Sequence, residues 1–126
     1  MESENQISYN IRGAIFKVYN ELGPGLLESV YEAALSMELK EMGHIVQNQI
    51  GIPMRYRDIL FDCGFRLDIL VDNCVIVEVK SVEALEDVRY KQLLTYLKLS
   101  DKKLGLLINF NCSEIKDNIK RIVNNL

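Results

Sequence analysis

The stretch Arg66-Leu67-Asp68-Ile69-Leu70-Val71-Asp72-Asn73-Cys74-Val75-Ile76-Val77-Glu78-Val79-Lys80 holds the residues best suited to chemistry: an aspartate, a turn, then Glu-x-Lys. Glu-x-Lys alone says little, because a chain of this size should hold about 0.4 copies by chance. There are three, at Glu38-Leu39-Lys40, Glu78-Val79-Lys80 and Glu114-Ile115-Lys116. Local structure separates them. Residues two apart point away from each other on a helix but share one face of a strand, and of the three only Glu78 and Lys80 fall in a stretch that reads as a strand. The other two copies read as solvated helix surface.

Alternation then sets the register. Leu67, Ile69 and Val71 alternate along one expected strand and Val75, Val77 and Val79 along the next, so both sets should face one core. That parity pairs Val71 with Val75 and Ile69 with Val77. It makes Asp72-Asn73-Cys74 the hairpin loop, with Asn73 in the left-handed conformation, and sets Asp68 opposite Glu78. Cross-strand Cβ atoms lie about 4.5–5.5 Å apart, close enough for two carboxylates to share a cation. Lys80 sits one step further along the same face. The duller reading, in which Lys80 neutralises two acids on a half-exposed sheet, fits poorly with such apolar neighbours.

Other elements must position this hairpin. Ile11, Ala14, Ile15, Val18 and Leu22 recur at helical spacing before the break Gly23-Pro24-Gly25. Leu27, Tyr31, Ala34, Leu35 and Leu39 form the stripe of a second helix, with Gly43 just past its end. Residues 45–56 read as an extended edge strand containing Pro53, and Arg57-Asp58 as a turn. Ile59 to Val71 and Val75 to Lys80 are the two strands of the hairpin. Leu85, Val88, Gln92, Tyr96 and Leu99 mark a third helix, Lys103 to Phe110 a further strand. Ser113 is placed to cap a last helix with Ile115, Ile119 and Ile122 on its stripe. The expected order is ααβββαβα, in a single domain spanning residues 1–126.

Composition excludes several classes of chemistry. The chain has one histidine, His44, expected at the surface, so no site can rest on a histidine pair. Its three cysteines are widely spaced among apolar residues, which favours reduced thiols over a disulfide or zinc framework. Neither GxxxxGK[ST] nor GxSxG occurs. The apolar runs are far shorter than the ~20 residues of a membrane span, and the start, Met1-Glu2-Ser3-Glu4-Asn5-Gln6, is polar and acidic; a cytoplasmic protein is expected. Net charge is -3, so any attraction to nucleic acid must be local. Arg12, Lys17, Arg66, Arg89 and Lys91 are candidates for a basic rim.

Asp68 with Glu78-x-Lys80 resembles the signature of the PD-(D/E)xK nucleases. Gly25-Leu26-Leu27-Glu28-Ser29-Val30-Tyr31 is similar to the GxxExxY motif that names one bacterial and archaeal branch. Gln92-Leu93-Leu94-Thr95-Tyr96-Leu97 resembles the QxxxY element of RecB-type nucleases, and Leu107-Ile108-Asn109-Phe110 and Lys120-Arg121-Ile122-Val123 also look like family segments. The resemblance covers nearly the whole chain, with one departure at Arg89, where many relatives carry histidine. It implies a restriction-endonuclease-like α/β fold with a central mixed four-stranded sheet flanked by helices.

The same resemblance gives Glu28 a role near the metal or its water, although a carboxylate in a first helical turn also suits the helix dipole by ~0.3–1 kcal/mol. Tyr31, on the same face as Glu28, reads first as a core residue. Gln92, a polar residue on an apolar stripe, needs a partner, since burying its amide unpaired costs ~1–3 kcal/mol; the resemblance points it at the carboxylates or Lys80. The resulting expectation is a Mg²⁺-dependent nuclease, with Mn²⁺ as a substitute. Asp68, Glu78, the Val79 carbonyl and Glu28 hold the ion, and Lys80 orients or deprotonates water. The substrate is nucleic acid, with DNA favoured, and analogy with enzymes that act on duplexes suggests a homodimer. The competing readings are a silent nuclease-fold module that binds nucleic acid or a protein, and a phosphoesterase acting on small molecules.

Overall fold

The computed structural model describes residues 2–126. Helix α1 (Glu4–Leu22) starts where Ser3 caps it, the Gln6 N–H donating to the serine Oγ at 3.2 Å, and stops at Gly23, whose φ of 70° suits a residue without Cβ. Helix α2 (Glu28–Glu41) follows, then strands β1 (Val46–Tyr56), β2 (Ile59–Val71) and β3 (Val75–Lys80). Helix α3 (Asp87–Ser100) carries the chain over to β4 (Leu104–Asn109), and a 3-10 turn (Ile115–Asn118) leads into β5 (Ile119–Val123). The five strands lie in the order β1-β2-β3-β4-β5. Only β3 and β4 pair in parallel, across the α3 crossover, so the sheet is mixed.

Two apolar layers sandwich the sheet. Ile7, Ile11, Ile15 and Val18 of α1 and Tyr31, Leu35 and Leu39 of α2 pack on Ile69, Val71, Val75, Val77, Val79 and Ile108. On the other face Leu93 and Leu97 of α3 pack on Leu67, Leu70, Ile76 and Leu107. Strands β3 and β4 are covered on both faces, which explains their unbroken apolar runs. A Cβ at Gly105 would lie 3.0 Å from the Leu93 methyls, so this glycine lets α3 approach β4 closely.

The α/β class, the edge position of β1 and the Asp72-Asn73-Cys74 loop match the expectations from sequence. Asn73 is left-handed (φ 55°) and so is Asp72 (φ 52°), with the Cys74 N–H donating to the Val71 carbonyl at 2.9 Å. Several other expectations are corrected. The last helix is a strand, so the sheet has five strands rather than four. Ile119 packs with the α1/α2 layer and Ile122 with the α3 layer, whereas residues three apart on a helix would share a face. Pairing with the open edge of β4 outweighs the local helical spacing. Leu67 faces α3, not the core shared by Ile69 and Val71. On α3 the buried residues are Leu93 and Leu97, while Val88 and Leu99 are exposed. Leu22 and Leu27, at helix ends, are exposed as well.

Candidate active site

Strands β2 and β3 pair at Val71–Val75, Leu70–Ile76 and Ile69–Val77, and there the regular ladder ends. Beyond it side chains take over from main-chain partners. The Asp68 N–H donates to Glu78 Oε1 at 3.3 Å, and the Val79 N–H donates to Asp68 Oδ2 at 2.9 Å. The two carboxylates therefore cross in the gap where the strands part. The cause lies partly in β1, where Gln49, opposite Asp68 in register, has φ 50°. On one side of this rung Asn48 turns to α2, its Nδ2 donating to Ser36 Oγ at 2.7 Å. On the other side Ile50 packs with the α3 layer. Ile69 and Leu67 swap faces across the same rung of β2, so both strands twist over at the point that carries the acids.

Glu78 is 5% exposed. Burial, and then the adjacent Asp68 carboxylate, push its carboxyl up to about 9, with Lys80 pulling the other way. Such a pair is short of positive charge. Tyr96 of α3 stacks on Phe65 of β2, centroids 4.5 Å apart and planes 15° apart. Burial, then Glu78 and Asp68, raise the Tyr96 phenol, while Arg89 and Gln92 act in the opposite sense. Among the described residues no hydrogen bond joins Gln92 directly to Asp68, Glu78 or Lys80.

The end of β3 is clamped from both sides. Glu28 Oε2 accepts the Ser81 N–H at 3.0 Å, and Ser81 Oγ donates to the Leu26 carbonyl at 2.7 Å. Leu26 is held in turn, its N–H donating at 3.1 Å to the hydroxyl of Tyr31, which itself donates to the Gly23 carbonyl. The Tyr31 ring is fully buried and stacks on Phe110 at 4.3 Å, so Tyr31 is a core residue that shapes the loop before α2. On the far side the Phe110 N–H donates to the Lys80 carbonyl at 2.9 Å. Buried Asn109 grips Val82, accepting its N–H at 3.0 Å and donating to its carbonyl at 2.9 Å. Val79 places its side chain in the α1/α2 core and its N–H on Asp68.

Two neighbours of the site were not singled out from sequence. Gln49 Nε2 donates to Glu32 Oε1 at 2.7 Å and lies 3.4 Å from Asp68 Oδ1, linking helix α2 to the carboxylate pair. Glu32 follows Glu28 by four residues on α2, a spacing that puts both on one helix face and was the available signal. Gln49 had none, because its position depends on the twist of β1. The basic candidates divide. Arg66 Nη1 donates to the Gln49 carbonyl at 2.8 Å and Arg89 acts on Tyr96. Lys17 pairs with Glu38 at 3.1 Å and Arg12 lies over Phe16, both on α1.

His44 is buried, correcting the surface expectation: its Nδ1 is 2.6 Å from Asp72 Oδ2, and Asp72 Oδ1 accepts the Ile45 N–H at 2.8 Å. Glu2, His44 and Asp72 bring donor atoms within 4.8 Å of one another. This group sits at the loop end of β2, away from Asp68 and Glu78, and these contacts tie the hairpin loop to the segment after α2.

A family model described as PD-(D/E)XK nuclease superfamily matches residues 5–122. The three helices and mixed five-stranded sheet are consistent with the restriction-endonuclease-like fold of that superfamily. No curated protein and no solved structure matches the chain. Among the described residues no helix is long and apolar enough to cross a membrane.

Proposed function

We propose that this chain, which belongs to the PD-(D/E)XK nuclease superfamily, is a metal-dependent nuclease that hydrolyses phosphodiester bonds in nucleic acid, with DNA as its substrate. The reading rests on one observation, the crossing of Asp68 and Glu78 where β2 and β3 part. Two carboxylates held together with a proton retained to about 9 form an all-oxygen donor set short of positive charge, which fits a hard divalent cation. Asp68 and Glu78 would hold Mg²⁺, with Mn²⁺ as a substitute, joined by the Val79 carbonyl and by Glu28 through water. Bound there, the ion supplies Lewis-acid polarisation of the phosphate and a more acidic water.

The remaining work falls to side chains of this chain. Lys80, on the face of β3 that carries Glu78, orients or deprotonates the attacking water. Gln92 adds a polar amide near the carboxylates from α3, and Glu28 fixes the exit of β3 through Ser81. Arg66 and Arg89 offer positive charge to the phosphate backbone. The GxxExxY motif at residues 25–31 suggests that branch of the superfamily, and the reading takes residues 1–126 as one domain. Three free thiols suit a reducing, cytoplasmic setting. A homodimer would set two such sites on one duplex.

The test is a cleavage panel of single-stranded, double-stranded and branched DNA and RNA with Mg²⁺ or Mn²⁺, using Asp68→Asn and Glu78→Gln as controls. Metal-dependent cutting that both substitutions abolish supports the reading. A folded wild type that binds neither ion and cuts nothing would replace it with the silent binding module, which the net charge of -3 favours.

A further inference from the structure

Strands β1 and β2 pair from Val46–Val71 to Ile52–Phe65 with one rung absent, that of Gln49 and Asp68. Gln49 has φ 50° at this point, a left-handed conformation that few residues with a Cβ adopt, and those mostly Asn and Asp. A glutamine held there in mid-strand is a backbone outlier of the kind that gathers at functional sites. Groups outside the ladder hold it. Arg66 Nη1 donates to the Gln49 carbonyl at 2.8 Å, and Gln49 Nε2 donates to Glu32 Oε1 at 2.7 Å. Glu32 is itself fixed, since its Oε2 accepts from Asn48 Nδ2 at 3.1 Å, and its carboxylate obliges the Gln49 amide to present nitrogen rather than oxygen. The same Nε2 lies 3.4 Å from Asp68 Oδ1, while Asp68 Oδ2 accepts the Val79 N–H.

We propose that Gln49 is a positioning residue for Asp68: anchored on Glu32, its amide sets the rotation of the carboxylate that would ligate the cation. This role presupposes the metal site proposed above at Asp68 and Glu78. An aspartate carboxylate turns about a broad, soft torsion, so one hydrogen bond at Oδ2 leaves Oδ1 free to swing. The contact from Gln49 pins that oxygen too, and a carboxylate oxygen keeps a further lone pair for a metal ion. Ligating carboxylates depend on such outer hydrogen bonds, and losing one lowers metal affinity by about 10–100-fold. Gln49 is not placed to ligate the ion itself. Turning its amide over to offer oxygen would break the 2.7 Å bond and set that oxygen against Glu32.

Calorimetric titration of the full chain with Mn²⁺, paired with urea denaturation in EDTA, tests this role. Gln49→Gly removes the amide at a backbone angle that glycine adopts freely, so metal-free stability should stay close to wild type while Mn²⁺ affinity falls by about 10–100-fold. Gln49→Asn also tolerates the left-handed backbone but ends a methylene short of Glu32, and should behave alike. Gln47→Ala, two residues earlier on β1, should leave the affinity unchanged. Glu32→Gln should weaken binding in the wild-type background and add nothing to Gln49→Gly, because the anchor acts only through the amide. A Gln49→Gly protein that binds Mn²⁺ like wild type overturns the proposal and spares the metal site. So does a loss of affinity that comes only with a loss of metal-free stability in both Gln49 variants, or Glu32→Gln weakening binding equally in both backgrounds, which would reduce Glu32 to a distant charge. A wild type that binds neither Mn²⁺ nor Mg²⁺ overturns the metal site and the proposal with it.

Discussion

Glu78→Gln should stabilise the metal-free protein, and by an amount that grows with pH. In the unfolded chain Glu78 ionises near 4.5, whereas in the fold burial and then Asp68 hold its proton to about 9. Folding therefore takes up a proton between these values. The stabilising contribution of the protonated form is complete below 4.5 and is lost as pH rises toward 9, at up to about 1.4 kcal/mol per unit. At pH 7 the penalty is at most about 3 kcal/mol, an upper bound because water entering the gap between β2 and β3 would ease ionisation. Glutamine mimics the protonated acid. Its Oε1 can accept the Asp68 N–H as Glu78 does at 3.3 Å, and its amide can donate to the Asp68 carboxylate.

Urea denaturation of both proteins in EDTA at pH 5, 6, 7 and 8 gives the difference directly, since every other titrating group largely cancels. The variant should gain on wild type by a few tenths to about 1.4 kcal/mol with each step. A difference that is flat with pH, or a variant less stable than wild type at pH 7, would refute the claim that Glu78 is held protonated against Asp68.

The other expectations concern the same gap and its supports. Adding Mg²⁺ at pH 7 should release close to one proton per wild-type site, because the ligand must be ionised, and none from Glu78→Gln; calorimetry in buffers of different ionisation enthalpy measures this. Lys80→Ala should cut turnover by about 10²–10⁴-fold, the usual span for a lost general base, with metal affinity largely kept. Tyr31→Phe removes the hydroxyl that serves Gly23 and Leu26 and should cost about 1–3 kcal/mol in thermal stability. Glu38→Ala breaks the 3.1 Å pair with Lys17, in which the lysine is exposed and the glutamate side chain largely buried, and should cost about 1 kcal/mol or less in stability and leave cleavage unchanged.

Much of the scaffold could be read from sequence because local and tertiary signals agree. The stripes Ile11–Val18 and Tyr31–Leu39 end at glycines with positive φ, Gly23 and Gly43, and two asparagine-type residues close the hairpin. The signals conflict at the C-terminus. Ile115, Ile119 and Ile122 follow a helical period, but the same residues are β-branched, and the unpaired edge of β4 decided the outcome through contacts far apart in sequence. The same limit hid the burial of His44, whose partner Asp72 is 28 residues away.

At the site, parity brought Asp68 and Glu78 together, but the premise that Leu67, Ile69 and Val71 share a face does not hold. Had β2 stayed regular, the Asp68–Glu78 rung would have been one more row of main-chain hydrogen bonds, with both carboxylates free above the sheet. Instead the twist at Gln49 and Asp68 ends the ladder at Ile69–Val77, and each acid takes a backbone N–H from the other strand. The irregularity is therefore what draws the acids into the gap, where burial lifts Glu78 so far. An alternating pattern in one sequence identifies facing residues. It carries no sign of a rung where two adjacent strands turn over together, because that turn is set by Gln49, nineteen residues from Asp68, and by what Glu32 on α2 offers its amide.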